Sequence, residues 1–126
     1  MGRGTMPESR TVLVAEDTAP VRTLLRRVLE TEGYRVNEAS DGVEALDLFA
    51  KIRHDIVVAD IRMPRMDGRE LAVELRKRSA TIPILFVSGY DAYLDTELPG
   101  PVLAKPFMPE QLVASVRRLL PVADEI

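Results

Sequence analysis

The sequence is informative first through what it lacks, because its 126 residues include no cysteine and a single histidine, His54. The absence of cysteine excludes disulfide bonds, thiolate metal sites and cysteine nucleophiles, and it fits a reducing compartment. His54 has no partner acid or second histidine at the spacing that a catalytic pair or a metal site requires. We therefore expect His54 to be a solvated residue just before a strand.

The sequence also has no long hydrophobic run and no charge of one dominant sign. No apolar stretch approaches the ~20 residues that a helix needs to cross a bilayer, and the opening MGRGTMPESR lacks the apolar stretch of a signal peptide. The 17 basic and 20 acidic residues give a net charge of -3, so nothing directs the chain to nucleic-acid phosphates or to an anionic membrane surface. We therefore predict a cytoplasmic protein without direct nucleic-acid binding or membrane insertion.

The composition is that of one globular domain. A chain of 126 residues with 46% hydrophobic and 29% charged residues is close to the commonest domain size and can bury roughly two thirds of its unfolded surface. Residues at both ends carry few groups that would tie them to a core. The predicted organisation is a flexible N-terminal segment over residues 1–9, a folded domain over residues 10–121 and a tail over residues 122–126.

Five short apolar runs predict five β-strands. They are TVLVA (11–15), YRVNEA (34–39), DIVVAD (55–60), ILFVS (84–88) and PVLA (101–104). The second run alternates apolar and polar residues, as an edge strand with one wetter face does. The fourth run is continuously apolar and indicates a central strand.

Four longer stretches have apolar residues at the spacing of three and four residues that predicts helices. They are a helix that Thr18 caps, Pro20 starts and Gly33 stops, and helices over residues 43–52, 67–78 and 109–120. The stretch between the last two strands, residues 89–101, has few apolar repeats, so any helix there should be short. Strands that alternate with helices predict an α/β fold, a three-layer α/β/α sandwich with right-handed crossovers and a parallel sheet.

Chemically active side chains follow the ends of four predicted strands. Glu16 and Asp17 follow the first strand, Asp60 ends the third, Ser88 ends the fourth and Lys105 follows the fifth. Open parallel sheets bind ligands beyond the carboxyl ends of their strands, where the chain switches from one face to the other. If strands three, one, four and five are neighbours, these side chains converge on one pocket.

The chemistry of these side chains points to a cation and a phosphoryl group. Three carboxylates in one pocket repel one another unless a cation neutralises them or one takes a proton. Oxygen ligands without nearby histidine or cysteine suit a hard divalent ion, and Mg²⁺ that keeps several waters fits best. Ser88 and Lys105 offer a hydroxyl and a compact positive charge to phosphoryl oxygens. Without a histidine base, a serine elbow or a glycine-rich nucleotide loop, Asp60 is the natural nucleophile, because carboxylates can attack phosphorus to form acyl phosphates.

Four motifs at these strand ends closely resemble those of the receiver domains of two-component response regulators. They are Glu16-Asp17, Asp60 within DIRMPRMDG, Ser88-Gly89 and Lys105-Pro106-Phe107, and the resemblance covers roughly residues 10–121. It implies a flavodoxin-like (βα)5 fold whose parallel strands have the order 2-1-3-4-5. It also implies that Asp60 accepts a phosphoryl group from a phosphohistidine of a sensor histidine kinase or a phosphotransfer protein.

The resemblance further implies a ligand set for the cation. Mg²⁺ would be held by Asp17, Asp60 and the backbone carbonyl of Arg62, with Glu16 acting through water. Ser88 and Lys105 would assist the chemistry at the phosphoacceptor. In the family, the peptide bond between residues at the positions of Lys105 and Pro106 is usually cis.

Receiver domains signal by a shift between two conformations, and this sequence lacks one of the residues that usually take part in it. In the family, the hydroxyl at the position of Ser88 moves to the phosphoryl group and an aromatic residue three positions before the lysine turns inward. Val102 stands at that aromatic position here. Arg62 and Tyr90 stand where family members tune the attack of water on the acyl phosphate, so we expect both to set its lifetime. The interval from Ser88 to Lys105 is short for the family, which predicts a trimmed fourth helix.

Three functions from different classes fit these residues. The first is a phosphorylatable receiver that assists its own phosphorylation and dephosphorylation without being a turnover enzyme. The second is a receiver-like binding module that signals without phosphate, which Val102 supports. The third is a Mg²⁺-dependent phosphohydrolase, which is disfavoured because DIRMP offers no second acid two residues after Asp60.

The partners are predicted only in outline. The resemblance implies an upstream kinase or phosphotransfer protein and an unspecified downstream effector, for a chain that is a monomer or a weak dimer. No output domain follows residue 121, so we expect a free-standing receiver or a piece of a longer protein. The SGY and KPF stretches resemble receivers attached to hybrid sensor histidine kinases.

Overall fold

The computed structural model describes residues 10–89 and 98–120, and within them strands and helices alternate along the chain. The strands are β1 (Thr11–Ala15), β2 (Arg35–Ala39), β3 (Ile56–Asp60), β4 (Ile84–Ser88) and β5 (Val102–Ala104). The helices are α1 (Ala19–Thr31), α2 (Gly42–Lys51), α3 (Gly68–Arg78) and α4 (Pro109–Leu119). The predicted short helix between the last two strands falls mostly on residues 90–97, which lie outside the described residues.

The strands form one parallel sheet with the order β2-β1-β3-β4-β5. This confirms the predicted fold and strand order. Every residue of β3 and β4 is buried, as continuous apolar runs in the middle of a parallel sheet require. The alternating β2 lies at the edge, where most of its residues are partly exposed.

Alternate residues of the strands face two separate apolar cores, one on each side of the sheet. Leu13, Val57 and Phe86 belong to the core beneath α2 and α3. Their neighbours in sequence Val12, Val58 and Val87 belong to the core beneath α1 and α4. Full burial of each such side chain contributes about 1.5–3 kcal/mol, so helices are needed on both faces. The molecule therefore has the predicted three layers.

The helices on the face of α2 and α3 begin at aspartate caps. Asp41 accepts a hydrogen bond from the Glu44 N–H at 2.8 Å and starts α2. Asp67 starts α3 through a capping box, in which it accepts from the Glu70 N–H and Glu70 accepts from the Asp67 N–H. Both helices therefore start at a carboxylate that satisfies a free backbone donor.

Helix α1 starts differently from the prediction. Thr18 occupies the N-cap position, but its side chain makes no capping hydrogen bond. Instead the Glu16 carboxylate accepts a hydrogen bond from the Thr18 N–H at 3.1 Å. Pro20 lies in the first turn, as predicted. The cap is thus supplied by one of the candidate site residues.

The bounds of several elements differ from the sequence prediction by one residue. The last strand begins at Val102 and not at Pro101, because a proline has no N–H to donate to the sheet. The Pro101 carbonyl still accepts from the Phe86 N–H at 2.9 Å. Helix α2 begins at Gly42 and α4 ends at Leu119, differences within the usual uncertainty of helix ends.

The prediction that His54 is solvated is wrong. The residue is 6% exposed, its Nε2 lies 3.0 Å from the Asn37 side-chain amide, and its ring stacks on Phe49 with centroids 6.0 Å apart. Burial lowers the pKa of His54 below its usual value, because a charged imidazole would lose its water there. His54 therefore belongs to the packed amino end of the sheet.

None of the helices within the described residues combines the length and the apolar character that a membrane span requires.

Candidate functional site

The predicted site residues meet at the carboxyl edge of the sheet, because β3 lies between β1 and β4 and β5 follows β4. The Lys105 Nζ lies 3.0 Å from Glu16 Oε1 and 3.2 Å from Asp60 Oδ2. Side chains that are 89 and 45 residues away from Lys105 in sequence are therefore joined by one ammonium group. The convergence predicted from the strand ends is present.

Three carboxylates form an acidic cluster at this edge, namely Glu16, Asp17 and Asp60. One carboxylate oxygen from each residue lies within 4.8 Å of the others. Glu16 and Asp60 are buried, whereas Asp17 is exposed, so the cluster opens to solvent on the side of Asp17. A set of oxygen ligands with two negative charges already withdrawn from water fits a hard divalent cation.

The electrostatics of the cluster show that its charges are not balanced. Burial raises the pKa of Glu16, and the negative charge of Asp60 raises it further against the opposing effect of Lys105. Burial disfavours the ammonium of Lys105, but the hydrogen bond to Glu16 and the charges of Asp60 and Glu16 outweigh this cost and raise its pKa. The Lys105 ammonium thus contacts two of the three carboxylates, and an added positive charge would relieve the repulsion among them.

Backbone pairing that continues beyond the strand ends positions Glu16 and Lys105. The Glu16 N–H donates to the Ala39 carbonyl at 3.0 Å, one residue past β1. The Lys105 N–H donates to the Ser88 carbonyl at 2.7 Å, one residue past β5. Ser88 is itself buried, so the lysine and the serine lie side by side at the edge. The peptide bond between Lys105 and Pro106 is cis, as the resemblance implied.

The loop after Asp60, residues 61–67, is folded tightly against the end of β3, and we call it the acceptor loop. The Gly68 N–H donates to the Ile61 carbonyl at 2.7 Å. A Cβ atom at Gly68 would collide with the carbonyl oxygen of Asp60, so this close approach requires glycine. The Arg62 N–H donates to Asp60 Oδ1 at 3.3 Å, which places the Arg62 backbone directly beside the Asp60 carboxylate.

Of the residues expected to affect signalling, Val102 lies within the part of the chain that the structure describes and Tyr90 does not. Val102 is half-buried and packs against the core that contains Phe86. Tyr90 lies outside the described residues. Met63 and Met66 of the acceptor loop also pack against this core.

Arg22 also supports the acidic cluster, and its role was not predicted from the sequence. Arg22 Nη1 donates to the Glu16 carbonyl at 2.8 Å, and Arg22 Nε lies 3.4 Å from Glu38 Oε1 on β2. An arginine on the first turns of a helix that follows two acids was a possible signal. It was not decisive, because the partner of a flexible side chain cannot be read from spacing.

The fold and the site define a class of protein. A parallel 2-1-3-4-5 sheet that joins an acidic cluster, a serine and a lysine at its carboxyl edge is the architecture of a flavodoxin-like phosphoacceptor domain.

Comparison with known families supports this class. Residues 12–117 match the model of the response regulator receiver domain. The curated relatives include the response regulator MprA of Mycobacterium sp. (strain KMS), 45% identical over 119 aligned positions that cover 86% of this chain and 50% of that protein. MprA of Mycobacterium avium (strain 104) is 44% identical over the same shares. The chain thus spans about half the length of these relatives.

Solved structures with the same fold include receivers from several settings. The chemotaxis protein CheY4 of Vibrio cholerae has a TM-score of 0.81 and 31% identity, covering 90% of this chain and 100% of that one. TrrA of Thermotoga maritima, solved with Mg²⁺ and BeF, has a TM-score of 0.81 and 32% identity, with coverage of 88% and 99%. The receiver of the hybrid histidine kinase CckA has a TM-score of 0.77 and 34% identity, again covering 88% and 99%.

The chain therefore belongs to the response regulator receiver domain family. It is a phosphoacceptor domain of two-component signalling, which implies a kinase or another phosphodonor as its partner.

Proposed function

We propose that Asp60 is the phosphoacceptor and that it takes a phosphoryl group from a phosphohistidine of a sensor histidine kinase or a phosphotransfer protein. The observation that carries this proposal is the ammonium of Lys105, which lies within 3.2 Å of both the Asp60 and the Glu16 carboxylates at the carboxyl edge. A carboxylate held beside a fixed cation can attack phosphorus while the cation neutralises the incoming phosphoryl oxygens.

The phosphoryl transfer forms one bond at phosphorus and breaks another. A carboxylate oxygen of Asp60 forms a bond to phosphorus as the phosphorus–nitrogen bond breaks. The imidazole leaves with the electron pair of that bond and takes up a proton. Lys105 and Ser88 then donate to two of the phosphoryl oxygens, since both groups lie beside Asp60 at the ends of neighbouring strands.

We propose that Mg²⁺ is held by Asp17, Asp60 and the backbone carbonyl of Arg62, with Glu16 acting through water. The acidic cluster and the position of the Arg62 backbone beside Asp60 support this ligand set. When bound, the ion supplies positive charge that offsets the charge on the phosphoryl group. Glu16 contributes in a second way, since its carboxylate also fixes the start of α1 at Thr18.

The proposed output is a change of conformation that controls a downstream effector. Ser88 moves to the acyl phosphate, and Val102 replaces the family's aromatic residue, so the signal would reach the surface through apolar packing against the core of Phe86. Arg62 and Tyr90 set the lifetime of the phosphate. We place the receiver within residues 10–121 of a cytoplasmic protein and regard the chain as a switch, not as a turnover enzyme.

The test is the intact mass of the protein after exposure to acetyl phosphate, with Mg²⁺ and then with a chelator. We expect one added phosphate in the native protein with Mg²⁺ and none in Asp60→Ala or with the chelator. Released inorganic phosphate is measured in parallel, so that rapid hydrolysis is not mistaken for a failure to react. A folded protein that gains no phosphate and releases none would instead favour a phosphate-independent binding module, the function that Val102 supports.

A further inference from the structure

The acceptor loop contains a strained turn at Arg65. Arg65 has a φ of 66°, in the left-handed region that non-glycine residues rarely adopt. The Met66 N–H donates to the Pro64 carbonyl at 2.7 Å, so the three residues form a γ-turn with positive φ at its centre. Strained conformations of this kind persist only where the surrounding structure fixes them, and they cluster at functional sites.

A buried carboxylate fixes the turn from the neighbouring helix. Arg65 Nε donates to Asp41 Oδ2 at 2.9 Å, and Asp41 is only 7% exposed although it carries a charge. The other oxygen of Asp41 accepts from the Glu44 N–H and caps α2. The pKa of Asp41 is lowered by its hydrogen bond to the Glu44 N–H and also by Arg65, so the residue is ionised at neutral pH.

Backbone contacts hold the same turn at a second point. The Gly42 N–H donates to the Met66 carbonyl at 3.1 Å. A Cβ atom at Gly42 would collide with that carbonyl, so the first residue of α2 must be glycine for the loop to lie this close. The acceptor loop is thereby attached to the N-terminus of α2 through both a side-chain pair and a backbone hydrogen bond.

We propose that the Asp41–Arg65 ion pair is a positioning device for the cation site. The ion pair holds the γ-turn at Arg65 in place. The γ-turn then fixes the backbone three residues earlier, where the Arg62 N–H donates to Asp60. This inference rests on the proposed function, in which the Arg62 carbonyl binds Mg²⁺. Groups that orient a ligand without touching the metal commonly change metal affinity by about 10- to 100-fold when they are removed.

Two substitutions separate positioning from stability. Asp41→Asn keeps a side-chain oxygen to cap α2 but cannot offer Arg65 a second acceptor. Arg65→Gly removes the ion pair but suits the positive φ, so the relief of backbone strain should offset part of the cost of leaving the buried Asp41 carboxylate without its cation. We expect both variants to weaken Mg²⁺ binding about 10-fold, as measured by isothermal titration calorimetry. A loss of Mg²⁺ affinity measured where Arg65→Gly is still fully folded is a result that a purely structural role does not produce.

Kinetics and a matched control complete the test. The rate of phosphorylation by acetyl phosphate should need more Mg²⁺ for half-saturation in both variants and return close to the native rate at saturating Mg²⁺. The double variant should be no worse than the single variants, because both break the same contact. Lys51→Ala removes the exposed pair with Asp47 at the other end of α2 and should leave Mg²⁺ affinity unchanged.

The outcomes are distinguishable from failure of the proposed function. Native Mg²⁺ affinity in both variants, or additive losses in the double variant, would overturn the positioning role while Asp60 remains the acceptor. If the native protein binds no Mg²⁺ and gains no phosphate from acetyl phosphate, both the proposed function and this inference are wrong.

Discussion

The two edges of the sheet arrange their polar groups differently. At the amino edge, groups pair one with another: Asp55 accepts from the Thr11 N–H at 2.8 Å, the Asp55 N–H donates to the Thr11 carbonyl, and His54 meets Asn37. At the carboxyl edge, Lys105 contacts the Glu16 and Asp60 carboxylates, and Asp17 adds a third carboxylate to the cluster. The pairs at the amino edge join neighbouring strands, with the buried His54 Nδ1 left without a hydrogen-bond partner among the described residues, whereas the unbalanced charge of the carboxyl edge suits it to receive a ligand.

The largest expected effect is a loss of Mg²⁺ affinity at the carboxyl edge. Asp17→Asn removes one charge from the exposed member of the acidic cluster and should weaken Mg²⁺ binding by about 100-fold, or about 2.7 kcal/mol, because ligand charge sets cation affinity. Titration calorimetry measures the affinity. The free energy of unfolding without Mg²⁺ should stay near the native value, since Asp17 is exposed, and a large loss of stability would assign Asp17 a structural role instead.

The next effect concerns the ammonium at the same edge. Lys105→Ala leaves Glu16 and Asp60 buried without their cation, and we expect the free energy of unfolding to fall by about 2 kcal/mol in the absence of Mg²⁺. Mg²⁺ should restore more stability to this variant than it adds to the native protein. Urea unfolding with and without Mg²⁺ measures both quantities. Equal Mg²⁺ effects in the two proteins would mean that the ion and the lysine do not neutralise the same charges.

A smaller effect is expected at the amino edge, where His54 should make the free energy of unfolding depend on pH. The folded protein resists protonation of His54 because burial lowers its pKa, whereas the unfolded chain titrates near the usual 6.5. Stability is therefore unaffected well above pH 6.5 and falls as the pH decreases through that value, by at most about 1.4 kcal/mol per pH unit for one proton. Urea unfolding in steps from neutral to mildly acidic pH measures the slope. His54→Gln should lack this component, and an identical slope in the variant would assign the dependence to other groups.

The smallest expected effect is that of an exposed ion pair, which serves as a reference for the buried contacts of Lys105. Lys51 and Asp47 lie 3.7 Å apart on α2 with 70% of each side chain exposed. Water screens such a pair, so Lys51→Ala should change the free energy of unfolding by less than about 0.5 kcal/mol. A change as large as that of Lys105→Ala would show that burial is not what makes the Lys105 contacts strong.

The sequence predicted the architecture and the composition of the site because both depend on local patterns. The continuous apolar run of β4 and the alternating run of β2 placed these strands at the centre and the edge of the sheet. Once the strand order was inferred, Glu16, Asp60 and Lys105 had to meet, since the carboxyl ends of parallel strands share one edge.

The rest depended on contacts between distant residues, which no local pattern encodes. His54 is buried because Asn37 and Phe49 from two other elements cover it. The left-handed conformation of Arg65 was not predictable either, because sequence offers glycine or asparagine as the signal for positive φ. The Arg65 side chain is bound by Asp41, which lies 24 residues earlier in the chain.

The backbone pairing of Glu16 and Lys105 beyond their strands has a consequence for motion. The Glu16 and Lys105 amides are bonded to Ala39 and Ser88 as if they were sheet residues. Amides in a buried parallel sheet exchange their hydrogens with solvent only through the largest openings of a protein, whereas loop amides exchange through small local ones. The backbone amides of Glu16 and Lys105 should therefore exchange more slowly than the loop amides around them. Such a receiver keeps the backbone of its carboxyl edge paired while the neighbouring loops open and close.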